Sequence, residues 1–199
     1  MSNCKKSTKN KGFCRKRRHE NVWPVRFEVV KSRYEIYGGN NMNKEKLCCF
    51  YVNDIHLVTM ILPYINKRIN ESTEIITIFE TDISTSAKKV IDGIQGKKSK
   101  KLLEIDWGRK SLSYLYECDI ENKLILINGK DKFINEANKI IKHREENCIA
   151  LNCYEMMQGS ANLQEILDNH NKVVNTSGEH NPEEVFTGYT QKSYKKITV

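Results

Sequence analysis

An α/β fold, with a mainly parallel sheet and helices on both faces, is the class this chain predicts, and three observations carry the reading. Short β-branched apolar runs recur, Glu74–Phe79 (EIITIF) and Lys123–Ile127 (KLILI) being the clearest. Between such runs lie segments of roughly 10–15 residues with helical apolar spacing. The strands are continuously apolar and do not alternate, as expected of a sheet covered on both faces.

Taken in order, Lys46–Val52 (KLCCFYV) reads as the first strand. Asn53-Asp54 follows as a helix-capping pair, and apolar residues at 57, 58, 61, 62, 65 and 69 predict a helix over Ile55–Ile69. Pro63 is expected to bend that helix or limit its first part. Glu74–Phe79 is a buried strand. Asp82 or Ser84 caps a helix running to about Ile94, with Ala87, Val90, Ile91 and Ile94 on one face. Gly93–Lys101 is a basic turn, and Lys101–Ile105 (KLLEI) reads as a third strand leading into Asp106-Trp107-Gly108. Leu112–Tyr116 suits a short helix or a sheet edge. Lys123–Ile127 is a strand ended by Asn128-Gly129, and Asp131 caps a helix over Lys132–Lys142 with Phe133, Ile134, Ala137, Ile140 and Ile141 on its apolar face. Cys148–Cys153 is the next strand. Gly159-Ser160 leads into a helix over Ala161–Asn169, and Lys172–Val174 is the last strand, with polar, turn-rich sequence from Asn175 onward.

The charge is unevenly placed. Residues 1–45 hold 12 Lys/Arg against 4 Asp/Glu, whereas residues 46–199 hold 21 of each. Three parts follow: a basic, disordered tail over 1–45, an α/β domain over 46–188, and a flexible C-terminus over 189–199. Lys5–Arg18 (KKSTKNKGFCRKRR) has the composition of an arm for nucleic acid or anionic surfaces, and Val22–Val30 could add a short strand that Pro24 weakens. Gly38-Gly39-Asn40-Asn41 can also be back-translated as a ribosome-binding site before Met42. On that reading translation starts at Met42 and residues 1–41 are upstream sequence.

No apolar run reaches the roughly 18–20 residues that cross a bilayer, and no apolar stretch follows the basic N-terminus as a secretory signal requires. A cytoplasmic location with no membrane partner is expected. The cysteines number seven, and Cys48, Cys49, Cys148 and Cys153 sit in apolar runs, where thiols act as small hydrophobes. No C-x-x-C pair exists and the histidines at 19, 56, 143, 170 and 180 lack zinc spacing. No metal or cofactor is expected. Gly96-Lys97-Lys98-Ser99 is a near miss to a phosphate loop. The first glycine is misplaced, Lys follows Gly-Lys, and a helix precedes the segment where a strand is needed. Without that loop, Asp106 has no metal-holding role.

The stretch Cys148–Val174 gathers the candidate site. Tyr154-Glu155 closes one strand, a helix follows, and His170 precedes another strand. Ligand sites of open α/β sheets lie at strand ends. Cys153, Tyr154 and Glu155 could line a pocket or simply pack. His170 suits the dipole at a helix C-terminus, or a ligand or switch role. A Cys153–His170 nucleophilic pair is conceivable but lacks an orienting group and an oxyanion loop.

Three blocks carry a family resemblance: Leu47–Ile65 (LCCFYVNDIHLVTMILPYI), Phe133–Glu155 (FINEANKIIKHREENCIALNCYE) and Ile166–Glu184 (ILDNHNKVVNTSGEHNPEE). Together they make residues 46–188 resemble the DcmR-type sensory domain of methanogens and methylotrophs. Tyr51, Tyr154, His170 and Gly178 match its landmarks. Departures are Lys46-Leu47-Cys48-Cys49 where the first strand often carries histidines, Asn171 where proline is common, and a reduced central segment at Ile127–Lys130. The resemblance implies a RecA/KaiC-like fold without a nucleotide loop and does not imply an enzyme, and no enzymatic activity is expected; with the strand-end position of the cluster, Tyr51, Cys153, Tyr154, Glu155 and His170 are the candidate ligand-binding residues. It implies a sensory regulator that binds a small ligand, or a histidine kinase or transcription regulator. The alternative is a nucleic-acid-binding regulator using the basic arm; a degenerate relative of nucleotide-binding ATPases is a third reading.

Overall fold

Strand β1, Glu45–Tyr51, lies inside a six-stranded sheet of order β2-β3-β4-β1-β5-β6. The computed structural model describes residues 44–94, 98–156 and 163–189. After β1 come α1 (Asp54–Asn70), β2 (Ile75–Phe79), α2 (Ser84–Asp92), α3 (Lys98–Leu103), α4 (Tyr114–Glu117) and β3 (Lys123–Asn128). The chain continues through α5 (Asp131–His143), β4 (Cys148–Glu155), α6 (Leu163–Asp168), β5 (Lys172–Asn175), β6 (Gly178–His180) and α7 (Pro182–Val185). Strands β1 to β5 pair in parallel, and only β6 is antiparallel, returning beside β5. The expected α/β class, mainly parallel with helices on both faces, is what the chain forms.

The two faces have separate cores because side chains alternate along a strand. Leu47, Cys49 and Tyr51 of β1, with Leu151 and Cys153 of β4, pack under α1, α2 and Leu102 of α3. Cys48, with Ile125 and Ile127 of β3 and Tyr154 of β4, packs under α4, α5 and α6. The adjacent cysteines 48 and 49 therefore belong to different cores, and both are sealed from solvent.

Helix α1 begins where the sequence predicts. The Asn53 side chain accepts the His56 amide at 2.9 Å, and Leu57, Val58, Ile61, Leu62, Tyr64 and Ile65 are buried. Pro63 lies inside the helix without ending it. It removes the amide that would bond the Thr59 carbonyl, and both residues are exposed, so water can serve that group. Replacing Asn53 with Ala is expected to cost about 1 kcal/mol, read as a lower urea midpoint at unchanged m-value.

Two expectations need correction. Lys101–Ile105 is not a strand: Lys98–Leu103 is helix α3, with Leu102 buried against the α1 side and Leu103 48% exposed. After α3 the chain crosses the outer edge of β2. There the Thr77 hydroxyl donates to the Asp106 carbonyl, and the Lys110 amide donates to the Phe79 carbonyl at 2.9 Å. A free strand edge is thereby covered. The region after Asn175 is also more than turn, since Gly178–His180 adds β6 through a tight reversal in which Gly178 takes φ +123°. Arg68 of α1 pairs with Glu179 of β6 at 2.6 Å and holds this hairpin to the first helix.

No helix among the described residues is long and apolar enough to cross a membrane. The basic arm, the Val22–Val30 segment, Met42, Gly96-Lys97 and Gly159-Ser160 lie outside the described residues.

Candidate functional site

The chain leaves β1 into α1 on one face of the sheet and leaves β4 toward α6 on the other. Since β1 and β4 are neighbours, their carboxyl ends form a topological switch point, the place where open α/β sheets bind ligands.

Tyr51 ends β1 there. Its hydroxyl donates to Asn128 Oδ1 at 2.7 Å, and both residues are nearly sealed, at 6% and 2% exposure. Burial raises the phenol well above its ordinary range, and Cys153, Glu155 and Asp54 raise it further, so Tyr51 stays a neutral donor. Glu155 is the register partner of Tyr51, and Cys153 that of Asn128. Beyond Asn128 the chain needs glycine. A Cβ on Gly129 would lie 2.8 Å from Glu80 Cβ, Glu80 Oε2 and a Phe133 ring carbon. This close approach lets the Lys130 amide donate to Glu80 Oε2 at 2.7 Å. Gly129→Ala is expected to destabilise the domain by about 1–3 kcal/mol through overpacking, measured by chemical denaturation.

The helix ends facing this edge carry their own polar partners. Asn53 Oδ1 accepts at the start of α1, Val52 N donates to His56 Nδ1 at 3.2 Å, and Asp54 occupies the first turn. Asp131 opens α5, and Asp82 Oδ1 accepts the Ser84 amide at 2.8 Å before α2. In a phosphate-binding loop, open backbone amides and helix N-termini receive the anion. Here the link from β1 to α1 is only Val52-Asn53, and its side chains and neighbouring carboxylates take that role. Val52, Ile55 and Met156 are 50%, 43% and 42% exposed beside them, adding an apolar rim.

The sequence-derived candidates fall into two groups. Tyr51, Cys153 and Glu155 lie on the α1 side, and Tyr154 and His170 on the other. Cys153 is fully buried beside its register partner Cys49, whose thiol is raised by the hydrogen bond with Cys153 and by burial. Tyr154 stacks on Phe50 at 6.0 Å and meets the His170 ring edge-on at 5.7 Å. His170 is 5% exposed, with Nδ1 at 2.5 Å from the Ile166 carbonyl and Nε2 at 2.8 Å from Asn152 Nδ2. Nδ1–H donates to the carbonyl, and Nε2 accepts from the amide. Asn152 in turn bonds Asn138 of α5, whose amide reaches the Ile134 carbonyl at 2.9 Å. Burial lowers the imidazole to about 4, outweighing the bond to Ile166.

Cys153 and His170 are thus separated by the sheet and form no nucleophilic pair. Asp106 is engaged by the Gly108 amide at 3.0 Å and by Lys110 at 3.1 Å. Among the described residues no group of three or more His, Cys, Asp or Glu side chains is placed to hold a metal. Asn128 and Gly129 are the site residues that sequence reading took only as the end of a strand. Their signal is an amide closing a run of four aliphatic residues, where a buried strand has little reason to place one.

An open depression of about 670 Å³ lies at the opposite, amino edge of the sheet, near Lys44, Asn122, Asn147 and Asn171. Its polar groups hold turns together: Asn122 N bonds Asn147 O at 2.6 Å, and Asn171 Oδ1 accepts the Lys46 amide at 2.8 Å. Compared with known proteins, the chain matches no family model and no curated protein.

Proposed function

We propose that the domain is a non-enzymatic, cytoplasmic sensory regulator that binds a small uncharged or cationic molecule at the carboxyl edge between β1 and β4. The observation carrying this reading is the closed β1–α1 link, where Asn53, His56 and Asp54 occupy the position at which a nucleotide phosphate would bind. Carboxylates at 54, 131 and 155 add negative charge to the same edge and oppose an anion. The Tyr51–Asn128 bond and the apolar rim offer a neutral ligand both a polar anchor and a surface to cover. The resemblance of residues 46–188 to the DcmR-type sensory domain supports the same role, with a histidine kinase or transcription regulator as the partner that carries the output.

Thermal melting of the full chain against a metabolite panel tests this, because a ligand that binds only the folded state raises the melting temperature. MgATP is expected to leave it unchanged. A neutral or cationic metabolite is expected to raise it, and Tyr51→Phe to weaken that ligand roughly 5- to 10-fold, the equivalent of about 1 kcal/mol for a lost hydrogen bond. Stabilisation by MgATP would overturn the reading. So would a flat panel combined with no kinase or regulator co-purifying from native cells.

A further inference from the structure

We propose that the outer edge of the sheet, from α2 and α3 round β2 to α4, is a docking strip for single-stranded nucleic acid. Residues 84–116 hold eight Lys/Arg against three Asp/Glu, a net of +5, within a body of residues 46–199 that is neutral overall. The fold concentrates this charge. Helices α2 and α3 pack together, and Lys88, Lys89, Lys100 and Lys101 all lie exposed on them. Arg109, also exposed, continues the strip across the edge of β2. None of these five enters an ion pair among the described residues. Cations left unpaired at a surface form the electrostatic footprint of a polyanion partner.

Aromatic rings extend the strip onto the other face. Lys110 Nζ sits 4.7 Å from the Tyr114 ring centre, and Tyr116 is 71% exposed on the same short helix. An open ring on the helix where this line of cations ends suits a base that is free to stack, and base–aromatic stacking needs unpaired bases. An anionic membrane is the poorer fit. Of the apolar residues of α2, Ala87 and Ile91 are buried and Val90 is half-buried against the same core, and six-residue α3 exposes only Leu103, so neither helix presents a broad apolar face to insert. The strip lies away from the ligand edge between β1 and β4 and stands whether or not that edge binds a small molecule.

Fluorescence anisotropy of the full chain with a fluorescein-labelled 16-nucleotide single strand of mixed DNA sequence tests the strip. The variant K88E/K89E/K100E/K101E is expected to bind at least about 10-fold more weakly near 0.1 M salt. Its plot of log K against log salt should be shallower by about 0.7 for each phosphate that the variant no longer neutralises. Tyr116→Ala is expected to weaken binding about 5-fold or more with the salt slope unchanged, since stacking releases no counterions. All five side chains are exposed, so melting temperatures should match the parent; K88Q/K89Q/K100Q/K101Q repeats the test without charge reversal. A variant with Arg15, Lys16, Arg17 and Arg18 changed to Gln separates the basic arm. The proposal is overturned if that variant loses all binding while both lysine variants bind as the parent does. It is equally overturned if duplex binds as tightly as single strand with Tyr116→Ala silent, or if phosphatidylserine vesicles are bound and the strand is not.

Discussion

Lowering the pH from 7 to 4.5 is expected to destabilise the domain by about 2–3 kcal/mol through one buried imidazole, His170. The ring is sealed between α6 and β4, with both nitrogens engaged as a neutral donor and acceptor pair. A proton on Nε2 would face the Asn152 amide, itself a donor, in a site closed to solvent. Lys46 of β1 adds a further unfavourable charge, while Tyr154 offers only a ring edge and Asn138 of α5 reaches the site through Asn152. Folding therefore holds the imidazole at about 4, whereas in the unfolded chain it takes up its proton near 6.5. Between these values the unfolded state binds more protons, so stability is complete above pH 6.5 and is lost as pH falls toward 4. The slope approaches about 1.4 kcal/mol per pH unit. Asp82, Asp106, Asp119, Glu146 and Glu184 are also held below their ordinary range, but that range starts lower, so they act mainly beneath this window. Urea denaturation at several pH values measures the slope. In His170→Gln it should be nearly flat from pH 7 to 4.5; a variant as acid-sensitive as the parent would assign the effect elsewhere.

His170 also shows why the fold was more legible in the sequence than the site. Continuous runs such as KLILI and the 3.6-residue spacing of α1 and α5 report burial directly, and burial sets these elements. The segment KLLEI is too short for its period to separate helix from strand. Its true signal is the inequality of its leucines, since Leu102 is buried and Leu103 is not, and that depends on α1 and α2 packing over only one of them. Strand β6, Gly-Glu-His, carries no apolar pattern and exists because β5 and a left-handed glycine bring it alongside. At the site, Cys153, Tyr154 and Glu155 are consecutive, which invites reading them as one cluster. Strand alternation sends Tyr154 to the opposite face from its neighbours. Asn128 joins Tyr51 only through the order β3-β4-β1, a pairing across 77 residues that no local pattern encodes.

Trp107→Ala is expected to destabilise the domain by about 3–5 kcal/mol, lowering the melting temperature by about 10 °C, and to promote aggregation. Trp107 is 5% exposed and lies 6.1 Å from the Phe79 ring at the end of β2. Its indole N–H donates to the Leu102 carbonyl at 3.2 Å, and its own carbonyl accepts the Ile83 amide at 3.2 Å. One residue thus ties α3, the approach to α2 and the outer strand together. Removing its side chain leaves a large void on the α1 side and frees the segment that covers β2, whose exposed edge can then pair with another chain. Trp107→Phe separates the two contributions. It keeps most of the buried ring and loses the bond to Leu102, so its cost should be about 1–2 kcal/mol, without marked aggregation. Light scattering during thermal melting reads the aggregation, and chemical denaturation reads the stability. If Ala and Phe cost the same, the hydrogen bond, not the volume, secures the edge. If neither aggregates, the Thr77 and Lys110 bonds suffice to cover β2. The docking strip depends on the same segment, because Arg109, Lys110 and Tyr114 hold their places at the edge only while residues 104–111 stay folded across it. Trp107→Ala should therefore impair single-strand binding even though Trp107 is buried, whereas Trp107→Phe should preserve it.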